Sequence, residues 1–327
     1  MKSWNHLLRH GQPFIGLVLI LVLGIVLSPR ATDGTLVFLS PGNLTDVLLQ
    51  QTEIGIVALA MTFVIIGAGI DLSVGSVVAL SACVCASMLM LWNPRGSEPM
   101  QIGLAIAAAL GAGALVGALN GFVITRIRLQ PFVMTLATMI GVRGLTKWMT
   151  GNVNVDLGFD QTPSGHFAEL FSGKPFAISL WIGLAIVAHL ILDRTVYGRY
   201  LRAIGENEKA ALYTGLPVRA VRLIAYTGCG LMAALAGLIH AARSHQGNPN
   251  DGISYELDAI AAVVIGGTAL AGGRGSIIGT VTGTLVLGLL TNVLRLHMVD
   301  SNVELMVKAV IIVAAVWLQR SSFLSSR

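Results

Sequence analysis

Apolar runs recur along this chain between short polar stretches, and their lengths set the first reading. The opening run, Pro13 to Leu27, follows a basic head from Lys2 to His10. Further runs lie at about 47–67, 75–92, 102–124, 131–149, 177–192, 218–242, 257–271, 276–294 and 303–319. A helix needs ~20 residues to cross ~30 Å of hydrocarbon, and most of these runs approach that length. The sixth and eighth are short, and a short run also fits a re-entrant element. Ten crossings are predicted, with both termini on one side. Leu27-Ser28-Pro29-Arg30 offers no small-residue cleavage site, so the first run reads as a span and not as a signal peptide.

Composition agrees with that pattern. Hydrophobic residues make up 54% of the chain and charged ones 11%, with mean hydropathy +0.78, which favours one bilayer-embedded domain over residues 1–327. The 38 glycines suit close helix packing in lipid. Cys83, Cys85 and Cys229 sit in apolar runs and read as packing residues. The net charge of +5 follows membrane sidedness and not nucleic-acid binding. With the N-terminus inside, the inner segments hold Lys2, Arg9, Arg126, Arg128, Arg194, Arg199, Arg202, Lys209, Arg219, Arg222, Arg274, Arg320 and Arg327, more than half of the 21 basic residues. Most of the acids fall outside. Trp4, Trp92, Trp148, Trp181 and Trp317 lie near span ends and read as an interfacial belt.

Asp193 to Arg222 is the longest polar stretch. Its middle, Glu206 to Leu216, suits a short amphipathic helix stopped by Gly215 and Pro217. Two glycine ladders, Gly113/Gly117/Gly121 and Gly275/Gly279/Gly283, are spaced i, i+4 for close helix contact. Gly272-Gly273-Arg274-Gly275-Ser276 reads as a tight inner turn. It lacks the spacing of a phosphate-binding loop, so no ATP hydrolysis is assigned to this chain. His240 and His245 have no metal spacing, and no metal or catalytic site is predicted.

Four segments carry a resemblance: Gly69-Ile70-Asp71-Leu72-Ser73-Val74-Gly75-Ser76, Leu129 to Leu136 (LQPFVMTL), Glu256 to Gly267 (ELDAIAAVVIGG) and Gly272 to Gly279 (GGRGSIIG). The chain resembles, over about 45–320, the permease subunits of bacterial ABC sugar importers of the ribose, xylose, arabinose and galactose type. That resemblance implies an all-α polytopic fold of about ten transmembrane helices with an inverted repeat, in the bacterial inner membrane with both termini cytoplasmic. It also implies a second permease subunit, identical or similar, cytoplasmic ATPase subunits that hold ATP and Mg²⁺, and a periplasmic sugar-binding protein that delivers a monosaccharide. This chain would carry no cofactor of its own. The stretch 193–222 would supply a coupling helix, with Gly205, Glu206, Asn207, Ala210, Ala211 and Gly215 meeting the ATPase.

Asp71, Ser73, Asn120, Phe132, Thr135 and Thr138 are candidates for the translocation path. Asp71 follows the Gly67-Ala68-Gly69 break and also fits a cap for the third span. Asn120 fits a helix-to-helix bond equally well. Glu53, Arg143 and Lys308 fall at similar depths inside predicted spans, about 9 Å below the outer surface for the first two at ~1.5 Å per residue. A bare charge there is costly, so a Glu53–Arg143 or Glu53–Lys308 pair, or a watery outer mouth, is expected. The outer segments Gly151–Pro175 and His245–Glu256 are the natural surface for a binding protein. An ion-coupled transporter and a permease for another small polar solute, such as a branched-chain amino acid, are the competing readings. An intramembrane enzyme would need clustered His, acid or Ser groups, which the sequence does not offer.

Overall fold

The computed structural model describes residues 2–90, 97–159 and 162–324, with side chains for 14–90, 97–159, 162–311 and 313. Its helices are α1 (Lys2–Val26), α2 (Pro41–Ile66), α3 (Val74–Met90), α4 (Glu98–Phe122), α5 (Pro131–Met149), α6 (Pro163–Ser172), α7 (Lys174–Arg194), α8 (Val196–Glu206), α9 (Glu208–Tyr213), α10 (Val218–Ser244), α11 (Tyr255–Ile265), α12 (Ile277–Leu296) and α13 (Ser301–Leu324). Each of the ten apolar runs has become a helix. A π-helical turn, Val123–Ile127, extends α4. Two-residue strands β1 (Val155–Asp156) and β2 (Gln246–Gly247) pair antiparallel. Proline in the first turn starts α2, α4, α5, α6 and α7, where its missing N–H costs nothing.

Five segments, Pro41–Ile66, Glu98–Ile127, Lys174–Arg194, Val218–Ser244 and Ile277–Leu296, are long and apolar enough to cross a bilayer, and Phe14–Val26 and Val74–Met90 are shorter apolar helices. Their burial ranks them. The apolar stretch of α2 is 83% buried, whereas those of α4 and α7 are 22% buried and turn most of their surface outward. The core is therefore α2 wrapped by α7, α10, α11 and α12, with α3 and α4 packed on the other side of α10 and α5 on α3.

The first glycine ladder and two members of the second are helix contacts; Gly275 instead lies in the turn before α12, against the side chains of Ile66 and Thr268. A Cβ on Gly113 or Gly117 would strike the backbone of α10 at Gly230 or Tyr226, and one on Gly121 would press on Leu223. A Cβ on Gly279 or Gly283 would strike Gly266 or Ala262 at the end of α11. Trp181 departs from the belt reading. It is buried against Gly55 of α2, while Trp148 is 80% exposed. Trp92 and the side chains of Trp4 and Trp317 lie outside the described residues.

Two elements differ in length from expectation. The sixth run is a full-length helix, because α7 begins at Lys174. The eighth, expected over 257–271, is an eleven-residue half-helix. Gly266 and Gly267 (φ 86°) end α11 with a cap in which Thr268 N–H reaches Val263 O at 3.2 Å. The preceding segment, 245–254, folds back into the bundle. Gly247 lies against Ala82 and Cys83 of α3, and Gly252 lies further down the same helix, against Gly75 and Val78. Arg143 of α5 holds it there, donating to Pro249 O at 2.7 Å and to Asp251 O at 2.6 Å. α11 thus starts inside the bundle. At ~1.5 Å per residue its eleven residues span only about 16 Å.

Candidate functional site

Polar side chains collect at two levels of this bundle. At the first, α2 ends in Gly67-Ala68-Gly69, where Ala68 takes a left-handed φ of 58° and Gly69 N–H returns to Val64 O at 3.0 Å. The chain then turns through Asp71 and Ser73 into α3. Asp71 is buried, and its Oδ1 accepts from Ser73 N–H (2.9 Å) and Ser73 Oγ (2.6 Å), which orders the start of α3. Asn120 of α4, fully buried, donates from Nδ2 to Ser73 Oγ at 2.9 Å. Thr138 of α5 donates to Asn120 Oδ1 at 2.7 Å. Thr135, one turn earlier, reaches Ile70 O at 3.3 Å, and Tyr226 of α10 reaches the same carbonyl at 3.4 Å. Asp71 Oδ2 has no hydrogen-bond partner among the described residues. Five of the six path candidates therefore form one connected cluster on α3, α4 and α5. Phe132 is not part of it: its side chain is 51% exposed on α5.

At the second level α11, α12 and α13 build a comparable cluster. Thr291 of α12 donates to Glu304 Oε1 of α13 at 2.9 Å. Lys308 Nζ lies 3.1 Å from Glu304 and 3.6 Å from Asp258 in the first turn of α11. Beside it Glu53 of α2 is 4% exposed and accepts from Arg243 Nη1 at 2.5 Å and from the Tyr255 hydroxyl at 2.7 Å, with His240 Nδ1 at 2.7 Å. His240 Nε2 is 3.3 Å from Asp251. All of these groups except Asp251 and Glu304 line a cavity of about 400 Å³, with Gln50, Gln51, Ser244 and Arg295. From Glu53 to the end of α2 is 13 residues, so the two levels are about 20 Å apart along the helix axis. Thr62 and Thr280, 2.7 Å apart, join α2 to α12 between them.

The expected Glu53–Arg143 and Glu53–Lys308 pairs are not formed. α10 runs beside α2 and brings His240 and Arg243, one turn apart, to the level of Glu53. α5 packs on α3 and α4 instead, where Arg143 meets backbone carbonyls. Lys308 is held by the acids of α11 and its own helix. A longer seventh span was the missing signal: Arg243 sits just past the run ending at 242, but inside α10.

The 193–222 stretch is two helices, not one. α8 was not foreseen, although Tyr197, Leu201 and Ile204 recur at helical spacing behind an N-cap Thr195, whose side chain accepts from Gly198 N–H. Gly205 and Glu206 close α8. Gly205 packs directly on Ile66 O and Gly273 N, a contact that leaves no room for a Cβ, and Glu206 pairs with Arg274 at 3.3 Å. Asn207 caps α9 by accepting from Ala210 N–H at 3.0 Å, and Ala211 is buried. Gly215 (φ 78°) ends α9, with Leu216 N–H returning to Ala211 O at 3.0 Å. Leu212 and Tyr213 point outward, the latter 91% exposed. Arg222 links this unit to the first cluster: it meets Glu208 Oε2 at 2.9 Å and donates to Gly67 O at 3.2 Å.

On the other side, the long segment 151–175 is folded onto the body. β1 pairs with β2, and α6 buries Phe167 and Ala168 against α3, α4 and α10. Asp160, an acid of this segment, lies outside the described residues.

Comparison with known proteins adds to this geometry. The family model described as branched-chain amino acid transport system / permease component matches residues 43–316. The ribose import permease protein RbsC of Escherichia coli (strain K12) is 40% identical over 323 residues, covering 96% of this chain and 94% of that protein. RbsC of Bacillus subtilis (strain 168) is 42% identical over 313 residues, covering 94% and 92%. The D-allose transport system permease protein AlsC of Escherichia coli (strain K12) is 33% identical over 312 residues, covering 95% and 91%.

Proposed function

This chain belongs to the permease family of ABC transporters, a multi-pass membrane component, and on that premise we propose that it is the membrane-spanning subunit of an ATP-driven importer for a pentose or hexose. The observation that carries the sugar assignment is the 40% identity to a ribose import permease along 96% of the chain, backed by a similar likeness to an allose permease. ATP and Mg²⁺ belong to a partner ATPase, and a periplasmic binding protein delivers the sugar. A second permease, identical or similar, completes the pair.

In this reading α8 and α9 form the coupling unit on the cytoplasmic side, together with both termini. Gly205 against Ile66, Glu206 against Arg274, and Arg222 between Glu208 and Gly67 would transmit a shift of α9 to the α2–α3 break. Asp71, Ser73, Asn120, Thr135 and Thr138 then sit where such a shift acts, at the inner part of the path. The two polar clusters support an inverted repeat. One ties the start of α3 to α4 and α5, the other ties the start of α11 to α12 and α13, and they lie at opposite levels. Gly69-Ile70 precedes the first half-buried start and Gly252-Ile253 the second.

The test is uptake into proteoliposomes that contain the permease, its ATPase and its binding protein. ATP-dependent entry of D-ribose, D-allose or L-arabinose is expected, and entry of leucine alone would replace the sugar reading with an amino-acid one. Glu206→Lys and Gly215→Val are expected to release the ATPase on purification.

A further inference from the structure

One face of α10 keeps step with the α2–α3 break. Arg222, Tyr226 and Cys229 are spaced i, i+4 and i+7 and so share a stripe of that helix. Arg222 Nε donates to Gly67 O at 3.2 Å and the Tyr226 hydroxyl to Ile70 O at 3.4 Å, while the Cys229 thiol lies against the Asp71 carboxyl. The upper two contacts are poorly made. The Tyr226 bond is long for a hydroxyl donor, whose usual reach is ~2.7–2.8 Å. Asp71 Oδ1 accepts twice, but Oδ2 has no hydrogen-bond partner among the described residues, and a thiol is only a weak donor. A strong donor and an empty acceptor therefore lie one residue apart along the break. Both Tyr226 and Asp71 are buried, where an unmatched polar atom is costly.

The packing leaves α10 room to shift. At Gly113, Gly117 and Gly230 it meets α4 backbone against backbone, without interlocking side chains, which suits the small sliding of packed helices. Asn120 ties α4 to Ser73, so α4 stays with the break while α10 slides past both. At its inner end α10 is joined to α9, through the short connection 214–217 and through Glu208, 2.9 Å from Arg222. Gly69 keeps the path of the hydroxyl open, since a Cβ there would strike the Tyr226 oxygen.

We propose that Tyr226 is a positioning residue in a two-state switch. As α9 carries α10 about one residue along the break, ~1.5 Å, the Tyr226 hydroxyl leaves Ile70 O and donates to Asp71 Oδ2. Thr135 keeps Ile70 O occupied after the exchange. Arg222, bound to Gly67 O and Glu208, holds α10 back in the present state. The inference rests on the ATPase-coupled reading, which supplies the motion of α9.

The test uses the permease–ATPase complex in lipid nanodiscs with its binding protein. Infrared difference spectra are recorded between the nucleotide-free complex and the complex trapped with ATP and vanadate. The Asp71 band is the carboxyl band missing from the Asp71→Asn spectrum. On trapping it is expected to shift toward a more strongly hydrogen-bonded carboxyl in the wild type and to stay in place in Tyr226→Phe, which loses only a hydroxyl. Tyr226→Phe is also expected to lower ATP-driven D-ribose uptake roughly tenfold, the size of one hydrogen bond to a charged group. A band that stays still in the wild type, a band that moves equally in Tyr226→Phe, or undiminished uptake by that variant overturns the switch. Uptake by the wild type would still uphold the importer reading. If the Asp71→Asn complex does not assemble, the wild-type difference spectrum minus that of Tyr226→Phe decides: a carboxyl band upholds the switch and a flat carboxyl region refutes it. A moving band in a complex that hydrolyses ATP but imports none of D-ribose, D-allose or L-arabinose would keep the switch and remove the sugar reading.

Discussion

Glu53 shows what a charge needs in order to sit in the middle of a helix bundle. It accepts three hydrogen bonds, two from cationic groups, so its desolvation is offset locally. Removing one partner of a buried pair costs ~3–5 kcal/mol, and because His240 and Tyr255 remain, Arg243→Met is expected near the low end, about 3 kcal/mol. Glu53→Gln added to Arg243→Met should recover part of that loss, since no bare carboxylate is left. Equilibrium unfolding of the single and double variants in mixed micelles measures the coupling, and strictly additive losses would show that the pair is not an energetic unit. Asn120 sets a smaller scale. Interhelical hydrogen bonds in membrane proteins average ~0.6 kcal/mol and reach ~1.7, so Asn120→Ala, which breaks two, should lose about 1–3 kcal/mol in the same assay. Thr138→Val, which breaks one, should lose less. The need for a partner at Glu53 was legible before the structure, but its identity was not. A span's sequence fixes how deep a residue lies and says little about which neighbour its helix turns that residue toward. Arg143 and Arg243 both end up near that level, and only the packing of α10 on α2 chooses between them.

Glycine placement governs the elements, and two positions on α4 make opposite predictions. Gly117 faces α10 so closely that a Cβ would meet Tyr226 O and the backbone of Thr227, neither of which can yield by a rotamer change. Gly117→Ala should destabilise by ~1–3 kcal/mol, the usual cost of overpacking. Gly111 has open space where a Cβ would go. Gly111→Ala should be neutral or stabilise by up to ~1 kcal/mol through helix propensity. Thermal unfolding midpoints of the two purified variants decide this, and a shift of the same sign in both would break the argument. Both ladders, Gly275 excepted, were readable as contacts because small residues at i, i+4 have one common use in an apolar helix. Likewise the ten apolar runs were visible as helices, since their length alone exceeds what a loop tolerates. α6 and α8 were harder. They are short, lie among polar residues, and hold their shape by capping and by packing on the body, as Phe167 and Leu201 do. The half-length of α11 was equally hidden, because its apolar run continues through Gly266 and Gly267 into a turn that buries Ala269 and Thr268 without being helical.

For the whole molecule, the sidedness of the two polar clusters is the property on which the transport reading turns. α2 runs from the level of Glu53 to that of Gly67, and the α8–α9 unit packs at the Gly67 end. The basic residues of 193–222 and Arg274 gather there too, and on the proposed reading the Lys and Arg bias of membrane proteins would put that end in the cytoplasm. Met298, just beyond α12, then belongs to the opposite side, with the Lys308 cluster and the cavity. Tyr213 is 91% exposed at the tip of α9 and Met298 is 94% exposed, so both tolerate replacement and present a cysteine to solvent. A membrane-impermeant thiol reagent should label Tyr213→Cys in inside-out vesicles and not in right-side-out ones, and Met298→Cys the reverse. Labelling of both from one side would mean that α10 to α12 do not carry the chain across as an odd number of crossings. The clusters on α3–α5 and α11–α13 would then lie at one face, and a conduit that opens alternately at two polar ends would have no structural basis in this chain.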